Sequence, residues 1–173
     1  MPLDATRIAA VEVRLERSQD RSAVDALFDG AFGPGRFAKT AERVRERTPE
    51  APDLCVVAVE GDRIVGAARQ HGVRVGDSHG AFLGPFAVAA DRRGLKIGPR
   101  MIEAASAAAR GAGLEFLLLV GAESYFAPFG FAPVATGSVE LGGPIDPRRL
   151  LALPLRTPLV LQGRLEAPTL SAP

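Results

Sequence analysis

The chain has 173 residues, enough for one domain with a sizeable core, and its 47% hydrophobic and 24% charged residues exclude a wholly disordered polymer. Its 21 Lys and Arg against 20 Asp and Glu leave a net charge of +1, and only 6% of residues are aromatic. That balance offers nucleic acid neither a basic footprint nor a stacking platform. The one cysteine, Cys55, cannot form an internal disulfide, which fits a reducing compartment. Set in the apolar run 54–59, it reads as a core thiol rather than a nucleophile. Residues 1–11 lack the basic start and unbroken apolar stretch of a signal peptide, and no run approaches the roughly 20 apolar residues of a membrane span. The expectation is a cytoplasmic protein with no membrane and no nucleic-acid partner.

In chain order, residues 11–15 alternate apolar and polar, as a half-buried strand does. After a polar break, Ser22 or Asp20 caps a helix beginning near Ala23, with Val24, Leu27 and Phe28 on one face. Residues 30–35 interrupt it, and residues 40–47 form a second, charged helix ending near Pro49. Residues 53–60 and 63–75 are strands joined by the turn Gly61-Asp62. Residues 81–89 form a charge-free and therefore central strand, followed by a turn over 91–97. Gly98 and Pro99 open a helix, where proline loses no needed donor. Met101, Ala105, Ala108 and Ala112 give that helix a narrow apolar face, and Gly111 and Gly113 end it. Residues 114–120 are a buried strand and residues 122–128 a short helical turn. Strands follow at 131–134 and 137–141, then one helical turn at 146–151 and a last strand at 158–165. Residues 1–166 form a single domain, and residues 167–173 a flexible tail. The order of elements predicts an α/β (α+β) fold, one sheet with helices packed on it.

Two glycine-bearing loops compete for a phosphate. Gly33 to Thr40 nearly matches a nucleotide-binding loop, with Ala38 in place of its second glycine. That loop must follow a buried strand, and here a helix precedes it. The plainer reading is a glycine-broken connection between two helices. Arg93-Gly94-Leu95-Lys96-Ile97-Gly98 is better placed, after an apolar strand and at the opening of a helix. Such a turn aims backbone N–H groups at one point, and the helix dipole adds partial positive charge. Taken alone, the turn also suits a structural connection with no ligand.

From Phe82 to Val134 the sequence resembles the GNAT superfamily of N-acetyltransferases, closest to bacterial putative acetyltransferases. Leu83-Gly84-Pro85-Phe86-Ala87-Val88-Ala89 resembles their fourth strand, Arg93 to Gly98 their phosphate loop, and Tyr125-Phe126-Ala127-Pro128-Phe129-Gly130-Phe131 their C-terminal Tyr-x-x-x-Gly-Phe region. The resemblance implies a mixed, mostly antiparallel central sheet, helices on both faces, and splayed fourth and fifth strands. It implies acetyl-CoA as co-substrate, with pantetheine along Phe86, Ala87 and Val88 and pyrophosphate at Arg93, Gly94, Leu95, Lys96, Ile97 and Gly98, and no metal. It implies acetyl transfer to a primary amine of a small molecule or peptide by direct attack, with a tyrosine protonating the leaving thiolate.

Three positions depart from the family pattern. Lys96 stands where the loop has its first glycine, and Pro99 lacks an N–H. The family tyrosine aligns with Phe126, leaving Tyr125, the chain's only tyrosine and one place earlier, as the catalytic candidate. These departures keep open a non-catalytic CoA-binding or protein-interaction module. His71, His79, Glu60 and Glu123 are candidate general bases, alongside a water chain. The acceptor side is expected over residues 32–50 and the C-terminal loops. The apolar segment 150–165 either pairs with another subunit's edge, giving a homodimer, or completes the sheet.

Overall fold

The computed structural model describes residues 11–169. The reading of residues 1–10 and the last four residues of the expected tail lie outside that range. Nine strands among the described residues form one mixed sheet: β1 (Val11–Leu15), β2 (Val56–Glu60), β3 (Arg63–Val75), β4 (Ser78–Val88), β5 (Phe116–Val120), β6 (Ala132–Pro133), β7 (Val139–Glu140), β8 (Leu150–Pro154) and β9 (Gly163–Glu166). The main path runs β1-β2-β3-β4-β5-β8-β6, and β9 pairs with β3 and β7. Only β4–β5 and β7–β9 are parallel. Four helices complete the fold: α1 (Arg21–Phe32), α2 (Thr40–Arg47), α3 (Ile97–Gly111) and α4 (Glu123–Phe126).

The helices divide between the faces of the sheet. On one face α3 buries Ile97, Met101, Ile102, Ala105 and Ala109 against Val56, Ala68, Leu83 and Leu117. On the other, Val24 and Phe28 of α1 pack on Val57, Ala67 and Ala87, and Val44 of α2 on Val73, Phe82 and Leu118. The alternating side-chain directions of β4 make this work: Phe82 faces α2 while its neighbours Ala81 and Leu83 face α3. Both faces are covered, so β2, β4 and β5 read as apolar runs rather than alternating ones.

Several local expectations shift by a few residues. Helix α1 runs through Gly30 and stops only at Gly33, whose φ is 63°. Asp20 is not a side-chain cap of α1; its carboxylate accepts from Arg14 at 2.6 and 3.0 Å and from the Arg17 amide at 2.7 Å. That pairing holds the Asp20 carboxyl below its ordinary pKa. Strand β5 starts at Phe116, because the Leu114 amide bonds back to Ala109 and closes the end of α3. The helical turn expected over 146–151 is confined to Pro147–Arg149. Leu150 instead opens β8, a strand missed in the sequence, which pairs with β5 and β6. Its apolar run thus completes the sheet within the chain, as does β9. Cys55 is buried, and burial pushes its thiol up to about 12, so it is inert as a nucleophile.

Candidate functional site

The site begins where two neighbouring strands part. Strands β4 and β5 pair at Gly80–Phe116, Ala81–Leu117 and Phe82–Leu118 and at no later residues. From Leu83 onward the β5-facing edge of β4 has no strand partner. The parting coincides with a bulge, where Gly84 and Pro85 of β4 oppose the single Arg69 of β3. A bulge bends its strand and re-aims the residues beyond it. A cleft of about 1090 Å³ opens there, crossing from the face covered by α3 to the face covered by α1 and α2.

At the α3 end the chain turns sharply. Gly94 has φ 80°, and Lys96 sits in the left-handed region at φ 58°, ψ 24°, the sole non-glycine residue of positive φ among those described. Such a conformation costs a side-chain-bearing residue about 1–2 kcal/mol. Helix α3 begins immediately after, with Ile97, Gly98 and Pro99 as its first three residues. Pro99 is thus at the third helical position rather than the first. It is tolerated because the first-turn amides have no helical acceptor. The amides of Ile97 and Gly98 remain to meet a ligand, with the helix dipole behind them.

Tyr125 lies over this helix start. A Cβ built on Gly98 would collide with the Tyr125 hydroxyl, so the glycine is what lets the phenol reach the first turn of α3. Its neighbour Phe126 is buried, lies edge-on to the Tyr125 ring at 4.9 Å, and packs edge-on against Phe86 at 6.1 Å and Phe131 at 5.7 Å. The one-residue offset from the family pattern thus places the hydroxyl at the start of α3 and the phenyl ring between core and cleft. Burial pushes the Tyr125 phenol above its ordinary pKa, so it keeps its proton at neutral pH.

Of the residues expected to hold cofactor, Phe86, Ala87, Val88, Arg93, Gly94, Lys96, Ile97 and Gly98 line the cleft together with Tyr125. Leu95 does not; its side chain packs on the core beside α3. The four candidate bases do not line it either. His71 is buried with Nδ1 3.1 Å from the Thr48 carbonyl, and burial lowers its pKa. The His79 amide donates to Glu115, at the closed end of β4. Glu60 pairs with Arg92 at 2.8 Å, and Glu123 is exposed on α4.

The opposite end of the cleft was foreseen only as a region. Its wall is the loop between α1 and α2 and the segment 144–149, tied together by the Thr40 hydroxyl donating to the Pro144 carbonyl at 2.6 Å. The loop that imitates a nucleotide-binding motif is thus a short 3₁₀ turn, Pro34–Ala38, whose Ala38, Lys39 and Thr40 line this wall. Arg36, Arg45 and Arg149 line it too. Sequence reasoning missed all three, because nothing in their spacing marks them off from a solvated charged surface. Among the described residues no cluster of three or more His, Cys, Asp or Glu is arranged to hold a metal, and no helix is long and apolar enough to cross a membrane.

Comparison with known proteins fits this geometry. The model of the acetyltransferase (GNAT) family matches residues 22–131, which span α1 through the Gly130 turn. No curated protein sequence matched. Among solved structures, the GNAT family N-acetyltransferase YhbS from Escherichia coli, in complex with CoA, superposes with a TM-score of 0.75 at 20% identity, covering 91% of this chain and 89% of its own. A GNAT family acetyltransferase from Brucella melitensis in complex with acetyl-CoA gives 0.64 at 24% identity over 92% and 96%. Arabidopsis thaliana Naa50, bound to the bisubstrate analogue CoA-Ac-MVNAL, gives 0.57 at 15% identity over 83% and 97%. At these identities the likenesses show a shared fold. With the family model covering well over half of its length, the chain belongs to the GNAT acetyltransferase family.

Proposed function

We propose that the protein is an acetyl-CoA-dependent N-acetyltransferase that acetylates a primary amine by direct attack, with Tyr125 as its general acid. The observation that carries this reading is the meeting of the Tyr125 hydroxyl with Gly98 at the start of α3, beside the opening of β4 from β5. The residues fit the co-substrate. The unpartnered edge of β4 from Leu83 to Val88 offers backbone groups to pantetheine as an added strand would. The amides at Ile97 and Gly98, with Lys96 and Arg93 exposed beside them, suit pyrophosphate.

Acetyl-CoA supplies the thioester carbonyl, whose carbon–sulfur bond breaks as the acceptor nitrogen forms the new carbon–nitrogen bond. A β4 backbone N–H on the open edge stabilises the carbonyl oxygen as charge gathers there. Tyr125 gives its proton to the departing sulfur and is reprotonated by solvent. A phenol is protonated at neutral pH, and the upward shift from partial burial keeps it so. The proton released from the new amide nitrogen goes to water, since the single carboxylate lining the cleft, Asp146, is held by Arg148 and has its pKa lowered.

Two measurements test the proposal. Millimolar acetyl-CoA raises the midpoint of thermal unfolding by several degrees. A screen over primary amines then releases free thiol in proportion to the acetyl-amine formed. No shift with acetyl-CoA overturns the site. A shift with no thiol release from any amine returns a non-catalytic CoA-binding module.

A further inference from the structure

The two ends of the cleft differ in what their cations are for. Beside α3, Arg92, Arg93 and Lys96 lie where phosphates would sit. On the opposite face Arg36, Lys39, Arg45 and Arg149 line the wall that remains for the acceptor, with Asp146 as the lone acid. Asp146 is paired with Arg148, just as Arg36 is paired with Asp29 and Arg45 with Glu42, so the excess positive charge of this wall rests with Lys39 and Arg149.

The two half-buried arginines are pre-set for an anion. Arg45 gives Nε and Nη2 to Glu42, at 3.1 and 2.7 Å. That leaves Nη1 without a protein acceptor, beside the Gly84 bulge at 3.3 Å from a Cβ built there. Gly84 lies at the bulge where β4 parts from β5, so this donor stands on the cleft wall beside the parting of the strands. Arg36 is held by Asp29 at 2.8 Å and stacks on Phe37, its carbon 4.6 Å from the ring centroid. Its Nε and Nη1 are buried with no hydrogen-bond partner. Lys39 and Arg149 are exposed and form no ion pair among the described residues. A cleft wall of this sign attracts anions and repels cationic groups remote from the reacting nitrogen.

We infer that the acceptor is a primary amine that also bears a carboxylate, with Arg45 donating to the carboxylate and Arg36 supplying the second buried charge. The apolar side chains of Phe32 and Ile145, also lining this end, leave room for an apolar body between the two polar ends of such a molecule. Polyamines and lysine-rich peptides are disfavoured by the same charges. The inference rests on the acetyltransferase reading, from which it is separable by experiment.

The test compares matched pairs of amines in the thiol-release assay: alanine with ethylamine, phenylalanine with 2-phenylethylamine, and β-alanine as a spacing control. A charge-assisted hydrogen bond makes the carboxylate-bearing member better in kcat/KM by roughly 10- to 100-fold. R45M and R36M each narrow that gap, mainly through KM, and R45K restores part of it. Stabilisation by acetyl-CoA stays as in the parent protein, which also shows that the variants fold. Equal turnover of both members of each pair, preference for the decarboxylated amine, or no turnover of any carboxylate-bearing amine overturns the inference while the acetyltransferase reading stands on its own thermal shift. Loss of that shift in the parent protein would overturn the reading beneath both.

Discussion

The α3 end of the cleft is built mainly from one stretch of chain, residues 82–99, with Tyr125 brought over it, whereas the opposite end gathers side chains from residues 31–45 and 144–149. The first works through backbone: an unpartnered strand edge, a left-handed turn and the free amides of a helix start. The second works through long charged side chains held by neighbours, such as Arg45 on Glu42 and Arg36 on Asp29. Backbone recognition depends little on side-chain identity, so under the proposed function it would tolerate Lys96 and Pro99. Side-chain recognition is set by each residue, so the proposal puts specificity there.

That contrast is open to breakage. The largest effect is expected at Tyr125, where removal of one hydroxyl in Y125F lowers kcat by about 100-fold or more. Stabilisation by acetyl-CoA is unchanged in that variant, and an unaffected kcat would assign the acid role elsewhere. Next is Gly98→Val, which places a side chain where the Tyr125 hydroxyl lies. Acetyl-CoA then gives no thermal shift, although the unliganded protein stays folded by circular dichroism. A retained shift would mean that the α3 end does not depend on that close approach.

Lys96→Gly has two smaller effects of opposite sign. Relief of the left-handed strain raises stability by about 1 kcal/mol in denaturant unfolding. Loss of the ammonium weakens acetyl-CoA binding about five-fold in calorimetry. Tighter binding by the glycine variant would show the lysine to be an obstruction. The smallest effect concerns His71, whose folded pKa lies below the ordinary value of about 6.5. Below that pH the unfolded chain binds more protons, so stability falls on acidification. His71→Gln abolishes that acid-side slope in unfolding, and the pH profile of kcat keeps its shape. A kcat profile altered by His71→Gln would return this histidine to the reaction.

The strand β4, the turn after it and the helix that follows were legible because they are local, whereas the parting of β4 from β5 came only as what the family resemblance implied. A charge-free strand, a glycine turn and a small-residue helix face are patterns over adjacent residues. Strand β8 was not, because Leu150–Pro154 carries arginine and proline at its borders and owes its extended form to pairing with β5. The candidate bases were misplaced for a related reason. His71 and His79 lie on the right strands, but nothing local says how far along a strand the cleft extends.

Sequence alone determined the layered fold, the family and the strand-turn-helix segment proposed to meet a phosphate, since each follows from short-range pattern and order. Tertiary structure decided the rest. It set the Tyr125 hydroxyl at the start of α3 and the Phe126 ring between core and cleft, which one residue of helical rotation settles and only packing against Phe86 and Phe131 enforces. It also brought Arg45 to the Gly84 bulge and Arg36 to the same cleft across a long stretch of intervening chain, a meeting that depends on how α1 and α2 pack on the sheet.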